Sequence, residues 1–428
     1  MPESDFERQL GFLDATSIGL GTMIGGGIFI LPSIAAAQAG PASAISFLIA
    51  GIVSLLSALS HAEVATDMQD SDGGSYEYVH RALGPAFGSI VGWGMWVGLV
   101  FATAFYAVGF ARYLTFFAEA LPIAPVAVGL TLVLVGLNYY GAAEAGELED
   151  AIVLILLVLI VAFVARGVPA IDGGQLRPFN PNGWTAVLAT TGTIYVSFIG
   201  FAVIATAAAE IENPARNLPL SMITAVVVPT VLYVFVMIVS TGVLPAEALQ
   251  GSRVPVAEVA AEYAGSLGAL GMVVGAALAT ISSANASILA ASRVSYAMGG
   301  DRLLTDWLAT LNSRFGTPSR AISVTGVGIV ALVVLPVSIN VLAEVASFMY
   351  LVTYGLVHVA VVRLRRRGDG YDPHFRIPDP LFPAVPVVGV LATLAIMTQM
   401  DPFVIAGGLV LALAGAAWYF IYVRNWTE

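Results

Sequence analysis

Three consecutive glycines, Gly25-Gly26-Gly27, stand inside an apolar run, Phe12 to Ala37, that is long enough to cross a bilayer. Each costs about 1 kcal/mol relative to alanine inside a helix. The stretch Gly19-Leu-Gly-Thr-Met-Ile-Gly-Gly-Gly-Ile-Phe29 therefore predicts a helix that unwinds midway. Lipid cannot satisfy the N–H and C=O groups so released, and unwound backbone at that depth is tolerated where it lines a cavity. There, free amides can hold an anion and free carbonyls a cation. The plainer reading is a glycine-rich face for close helix packing. A second group with chemistry in it is Thr280-Ile-Ser-Ser-Ala-Asn-Ala-Ser287. Hydroxyls in lipid commonly bond across helices or back to their own i−4 carbonyl. The sharper reading is an oxygen cage for a small hard cation.

The elements that must position these residues are membrane helices. Of 428 residues, 58% are hydrophobic and 11% charged, against roughly 25% charged in soluble domains. Mean hydropathy is +0.89. Apolar runs of about 20 residues predict an all-α, polytopic membrane protein with twelve transmembrane helices. They lie near 12–37, 41–66, 86–118, 122–141, 149–167, 184–209, 218–244, 267–298, 320–338, 341–364, 382–398 and 402–423. The polar start Met1–Arg8 runs straight into the first span, which predicts no cleavable signal peptide. With no cysteine there is no disulfide framework and no thiolate metal site. The basic residues are all arginine, and the net charge of −11 argues against nucleic acid as a partner. Acids concentrate in stretches expected to be loops, Glu144–Asp150 and Asp67–Asp72. A cytoplasmic N-terminus leaves only Arg112, Arg166, Arg177 and Arg253 outside, so both termini are expected in the cytoplasm. The run Arg363-Leu-Arg-Arg-Arg367 reads as a stop at the inner surface. Two loops look structured: Gly73–Pro85 as a short cytoplasmic helix, and Pro245–Ala264 as an amphipathic cap over the outer mouth.

The sixth span, Thr193-Ile-Tyr-Val-Ser-Phe-Ile-Gly-Phe-Ala202 and onward, is interrupted by Gly200 with Ser197 nearby. An isolated glycine is common in membrane helices, but its position matters. Residues 1–11 form a cytoplasmic start, 12–167 a first five-helix unit, 184–364 a second, and 382–423 two closing helices. Five is odd, so the second unit enters from the opposite side. Interrupted helices in matching positions of an inverted repeat point to a transport site.

Four stretches carry a resemblance: Gly21-Thr-Met-Ile-Gly-Gly-Gly-Ile-Phe29; Gly73-Gly-Ser-Tyr-Glu-Tyr78 leading to Gly92-Trp93; Phe198-Ile-Gly-Phe201 with Glu210-Ile-Glu-Asn-Pro-Ala-Arg-Asn-Leu-Pro219; and Ser287–Met298. In order and at these spans, the sequence resembles the amino acid–polyamine–organocation (APC) transporters, which share the leucine-transporter fold. The resemblance covers the first ten helices. It implies that amides of Gly26 and Gly27 hold a substrate carboxylate, with Gly25 giving room, at the positive end of a half-helix. Carbonyls near Met23 and Ile24, and those of Val196, Ser197 and Ile199, would accept the substrate ammonium. Phe201 looks like a pocket or gate aromatic. Tyr106 is placed at an outer gate by depth alone, its alternative being a core aromatic.

Departures from the family pattern shape the expectation. Ala202 stands where several members carry an acid, and no Asp or Glu lies at mid-depth in the first, third, sixth or eighth span. A neutral, small or apolar amino acid follows. Proton-coupled relatives often place a lysine where Leu156 stands here. A sodium ion could instead use carbonyls of Gly21 and Ile24 with hydroxyls of Thr280, Ser282 or Ser283; Glu63 and His61 are alternative proton carriers. Gln69-Asp70-Ser71-Asp72 replaces the usual approach to the Gly-Gly pair. The expectation is an ion-coupled or exchanging secondary transporter in the cytoplasmic membrane, a monomer or homodimer, with no cofactor beyond a coupling Na⁺ or H⁺. A polyamine carrier needs acidic pocket residues. An enzyme needs a nucleophile or metal constellation, and His61 and His358 stand far apart in the chain. A channel fits a closed central site poorly.

Overall fold

A computed structural model describes residues 8–68, 74–141, 146–368 and 370–423, with the backbone alone for 146–148. Residues 1–7 of the N-terminal segment and the Gln69–Asp72 stretch lie outside the described residues. The helices are α1 (Phe12–Met23), α2 (Gly26–Ala39), α3 (Ser43–Ala65), α4 (Ser75–Leu83), α5 (Pro85–Leu114), α6 (Ile123–Tyr139), α7 (Gly146–Gly167) and α8 (Gly183–Ile194). They continue with α9 (Pro214–Val243), α10 (Ala246–Leu249), α11 (Pro255–Gly300), α12 (Ser319–Val334), α13 (Ile339–Arg367), α14 (Ala384–Met397) and α15 (Pro402–Trp418). Among the described residues there is no strand beyond an isolated bridge between Leu10 and Ile211. Among the described residues nine helical stretches are long and apolar enough to cross a membrane, and α6 and α12 are shorter apolar helices.

Local chemistry sets the ends. Proline occupies the first turn of α5, α9, α11 and α15, where its missing N–H has no intrahelical partner to lose. Asp401 caps α15 by accepting from Phe403 N at 2.7 Å. The α13 terminus stacks Arg365, Arg366 and Arg367 on its negative pole and stops at Gly368, φ +71°. Both stretches expected to be structured are helical: α4 fills most of Gly73–Pro85, and α10 with the first turns of α11 fills most of Pro245–Ala264. At Gly265, φ +62°, α11 kinks between that cap and its long inner part. The acidic stretch 144–150 departs from its expected loop, being helical from Gly146 onward.

Packing falls into two groups. α1 and α3 lean on α9, α3 on α8, and the segment Gly200–Glu210 on α1 and α9. α5 meanwhile packs on α11 and α13, and α6 on α12. Within the apolar window of Gly183–Glu210, 83% is buried, against 17% for Pro402–Val423. The interrupted helix is therefore the molecular centre and α15 the rim. Leu132, Val133, Val158, Val161, Val410 and Leu413 remain exposed, as a hydrocarbon solvent requires.

Candidate functional site

The first break falls between α1 and α2. Ile24 still donates to Leu20 O at 2.6 Å, Gly25 is extended (φ −80°, ψ −158°), and winding resumes at Gly26. The glycines are there for close approach. A methyl group at Gly25 would overlap Ser283 Oγ, and one at Gly27 would overlap Ser197 Oγ. At Gly26 it would come within 2.5 Å of Thr280 Cγ2 and 3.0 Å of Tyr106 Cδ1. The first amides of α2 have no intrahelical acceptor and carry the positive end of its dipole. Beside them, Ser197 Oγ and Tyr106 OH are buried without a hydrogen-bond partner. The unpartnered Ser197 hydroxyl thus stands at Gly27, and the ring of Tyr106 at Gly26.

The second break begins earlier than Gly200. α8 ends at Ile194, and Tyr195–Phe198 and Gly200–Glu210 wind as 3₁₀ turns. The cause lies across the interface: Val196 N donates to Ser347 Oγ at 2.8 Å, and Tyr354 OH donates to Ile199 O at 2.9 Å, both partners on α13. Gly200 meets the first break, since a methyl there would lie 2.9 Å from Met23 N. Tyr233 OH donates to Met23 O, so two of the carbonyls expected to take an ammonium, Met23 and Ile199, hold tyrosine hydroxyls in this conformation. Phe201 is buried edge-on against His61, ring centroids 5.3 Å apart, and beside Tyr354 at 5.0 Å. Below the break a small cavity of about 10 Å³ is lined by Ile199, Ala202, Val203, Leu99, Val294 and Tyr350. A larger one, about 570 Å³, lies between Thr206 and Glu210 on one side and Arg293 and Tyr296 of α11 on the other.

Of the expected cation ligands, the structure brings Gly21, Ser282 and Ser283 together. Ser283 Oγ donates to Gly21 O at 3.4 Å. Thr280 turns its hydroxyl back to Ala276 O (2.7 Å) and Ala277 O (3.0 Å) and presents its methyl to Gly26. Ile24 has its amide on Leu20 as above. A residue not among the expected ligands joins them: Glu149 of α7, whose Oε1 accepts from Ser282 Oγ at 3.4 Å and would lie 2.6 Å from a methyl at Gly21. Leu156, at the position of the family's lysine, is fully buried.

Side chains also tie the two packing groups at both ends. At the arginine-rich end, Arg365 of α13 holds Glu63 of α3 with two bonds of 2.6 and 2.8 Å, and Tyr371 OH and Ile377 N add 3.1 and 2.8 Å. Outside the spans, burial and the Glu63 charge push the Tyr371 hydroxyl up. At the other end of α13, Glu344, also buried, accepts from Thr193 Oγ1 at 2.8 Å. His61 donates or accepts at Ser57 O (2.8 Å) and Ser75 Oγ (2.9 Å). His358, far from it in the chain, meets the same Ser57 through Oγ at 3.2 Å and Ser60 Oγ at 2.8 Å. Folding therefore brings the two histidines to one serine, a correction to their separation in sequence. Among the described residues no group of three His, Cys, Asp or Glu could hold a metal ion.

A chain of long apolar helices crossed by two facing breaks, with polar contacts gathered at them, is that of a multi-pass membrane protein. The family model for amino acid permeases matches residues 10–423, and the chain belongs to that family, within the APC superfamily. It is similar to a branched-chain amino acid permease of Bacillus subtilis (strain 168), 30% identical over 99% of this chain and 94% of the relative. A methylthioribose transporter of the same organism is 29% identical over 98% and 94%. A branched-chain amino acid permease of Lactococcus lactis subsp. cremoris is 29% identical over 98% and 95%.

Sequence reasoning missed Glu149, Tyr233, Tyr354, Ser347 and Glu344. One signal was present: Glu149 shares a helical face with Val153, Leu156, Ile160 and Phe163, all buried, at spacings of 4, 3, 4 and 3 residues. The tyrosines gave none, because a hydroxyl reaching a carbonyl on another helix has no local pattern.

Proposed function

We propose that this protein carries neutral, small or apolar L-amino acids across the cytoplasmic membrane as a secondary active transporter. The observation that carries this reading is the first turn of α2, where the Gly26 and Gly27 amides lack intrahelical acceptors, set against the unpartnered Ser197 hydroxyl and the ring of Tyr106. Together they suit a carboxylate at the positive end of α2. The carbonyls of Met23, Ile24, Val196, Ser197 and Ile199 would take the ammonium, Tyr233 and Tyr354 yielding two of them. Phe201 would close the pocket. The apolar lining around Ala202 supports an uncharged side chain, and the names of the B. subtilis and L. lactis permeases support a branched aliphatic one. Among the described residues the nearest atoms to Gly26 and Gly27 belong to Thr280, Tyr106, Ile30 and Ser197, none of them a carboxylate for a polyamine's second ammonium. The methylthioribose relative supplies a second reading, a substrate with neither carboxylate nor ammonium.

Twelve spans follow if Phe12–Ala65 divides at Gly40 (φ +59°) and α6 and α12 also cross, with both termini cytoplasmic by the arginine distribution. The bundle of α1–α3, α8, Gly200–Glu210 and α9 would rock against the rest, in a monomer or homodimer, exposing the centre to each side in turn. Coupling needs a cation, Na⁺ or H⁺, that favours the same closed state as substrate. The Gly21, Ile24, Thr280, Ser282 and Ser283 region is its place. Thermal unfolding of the purified protein against single L-amino acids tests the reading, because a ligand of the folded state raises Tm. A rise with leucine, valine or alanine is expected. A rise with methylthioribose and none with any amino acid would overturn it.

A further inference from the structure

Glu149 lies at the junction of three helices. Its Oε1 rests against the backbone of Gly21 in α1 and accepts from Ser282 of α11, while Ser283 closes on Gly21 O one residue further. Gly21 is in the last turn of α1, whose final carbonyls lack intrahelical donors and carry the negative end of the helix dipole. A carboxylate set against that pole makes the strongest local attraction for a positive charge in the inner half of the break. Among the described residues Glu149 has no basic partner. Its helix adds Asp150, and α1 presents Asp14 two turns earlier. α9 offers Arg216 and Tyr233, and α11 offers Glu258, Glu262, Tyr263, Arg293 and Tyr296, none within hydrogen-bond distance of it. The other acids are committed elsewhere. Glu63 is clasped by Arg365, and Glu344 sits at the opposite end of α13.

The bound cation is set by oxygen count. Hard metal ions such as calcium and magnesium gather about six to eight oxygens. Around Glu149 the structure gathers only the Ser282 hydroxyl and the Gly21 backbone, with Ser283 directed at Gly21 O and Thr280 at its own helix, which is well short of that number. One proton needs one carboxylate oxygen. We propose that Glu149, wedged between the Gly21 backbone and Ser282, is the site that takes up and releases the coupling proton of this transporter. This rests on the transport reading above. The proton adds to a Glu149 oxygen from water on one side and leaves to water on the other, and no other bond is made or broken. Protonation removes the negative charge facing the end of α1 and lets Glu149 donate to the Gly21 carbonyl. α1, in the bundle proposed to rock, and α7, in the rest, are then held together until the proton leaves.

The test uses the full-length protein in liposomes free of sodium, with labelled L-leucine. Two quantities are read in the same vesicles: accumulation driven by an inside-alkaline gradient, and counterflow against internal leucine. The wild type accumulates under the gradient. In Glu149→Gln the ratio of gradient-driven accumulation to counterflow falls at least tenfold, and Glu149→Asp restores part of it. If Glu149→Gln does not insert, Ser282→Ala decides, because removing the donor to Oε1 shifts the pH midpoint of uptake. A normal ratio in Glu149→Gln, an unmoved midpoint in Ser282→Ala, or wild-type accumulation that needs sodium and ignores pH overturns the proposal. Failure of the wild type to exchange any amino acid strikes instead at the transport reading itself.

Discussion

The two breaks solve the same problem by different means. The first is made by absent side chains: Gly25, Gly26 and Gly27 let Ser283, Thr280 and Ser197 approach where a methyl would collide. The second is made by present ones. Tyr195-Val-Ser-Phe198 holds no helix breaker, and its winding changes because Ser347 and Tyr354 of α13 take its amide and carbonyl. Each break also faces a carboxylate from the last long helix of its own half of the chain, Glu149 near Gly21 and Glu344 at Thr193. The difference lies in how each is held: Val196 N and Ile199 O of the second break are fastened to α13, while Ser197 of that same break stays unpartnered beside Gly27 of the first.

Four substitutions would break or sharpen that contrast. Gly26→Leu should have the largest effect, filling the carboxylate position. Ligand-induced Tm shifts should vanish while the protein still elutes as a monodisperse species in detergent, and an unchanged affinity would remove Gly26 from the site. Gly200→Ala comes next, since its methyl presses on the Met23 backbone. Overpacking of this kind costs about 1–3 kcal/mol, read as a lower Tm without ligand. If Tm holds, the two breaks do not bear on one another. Tyr354→Phe releases Ile199 O and should cost about 1 kcal/mol, measurable by urea or thermal unfolding in detergent. A larger loss of transport than of stability would mark that tyrosine as a gate. Glu344→Gln should do least, because an amide oxygen still accepts from Thr193. A Tm drop exceeding that of Tyr354→Phe would show that its negative charge matters and that the two carboxylates are alike.

The polytopic helical class was legible because about 20 apolar residues have one stable form in lipid. So was the first break, because three glycines are costly without a use. The second was legible only as an interruption near Gly200; its true start at Tyr195 depends on α13, more than 140 residues away. Glu149 was obscured by its acidic neighbours, which give the stretch the composition of a loop although its face is the buried face of α7. His61 and His358 looked unrelated until folding gave them Ser57 in common.

The sequence by itself determined the helical class, the membrane setting and where the first helix would unwind, since these follow from hydropathy, backbone sterics and unpaired peptide groups within one segment. Tertiary structure alone decided which hydroxyls are spent and which are free. It tied Tyr233 to Met23 and Tyr354 to Ile199, left Ser197 and Tyr106 without partners, and set Glu149 against Gly21. Hydrogen bonds act over about 3 Å, and no pattern along one helix states which atom of another will stand that close.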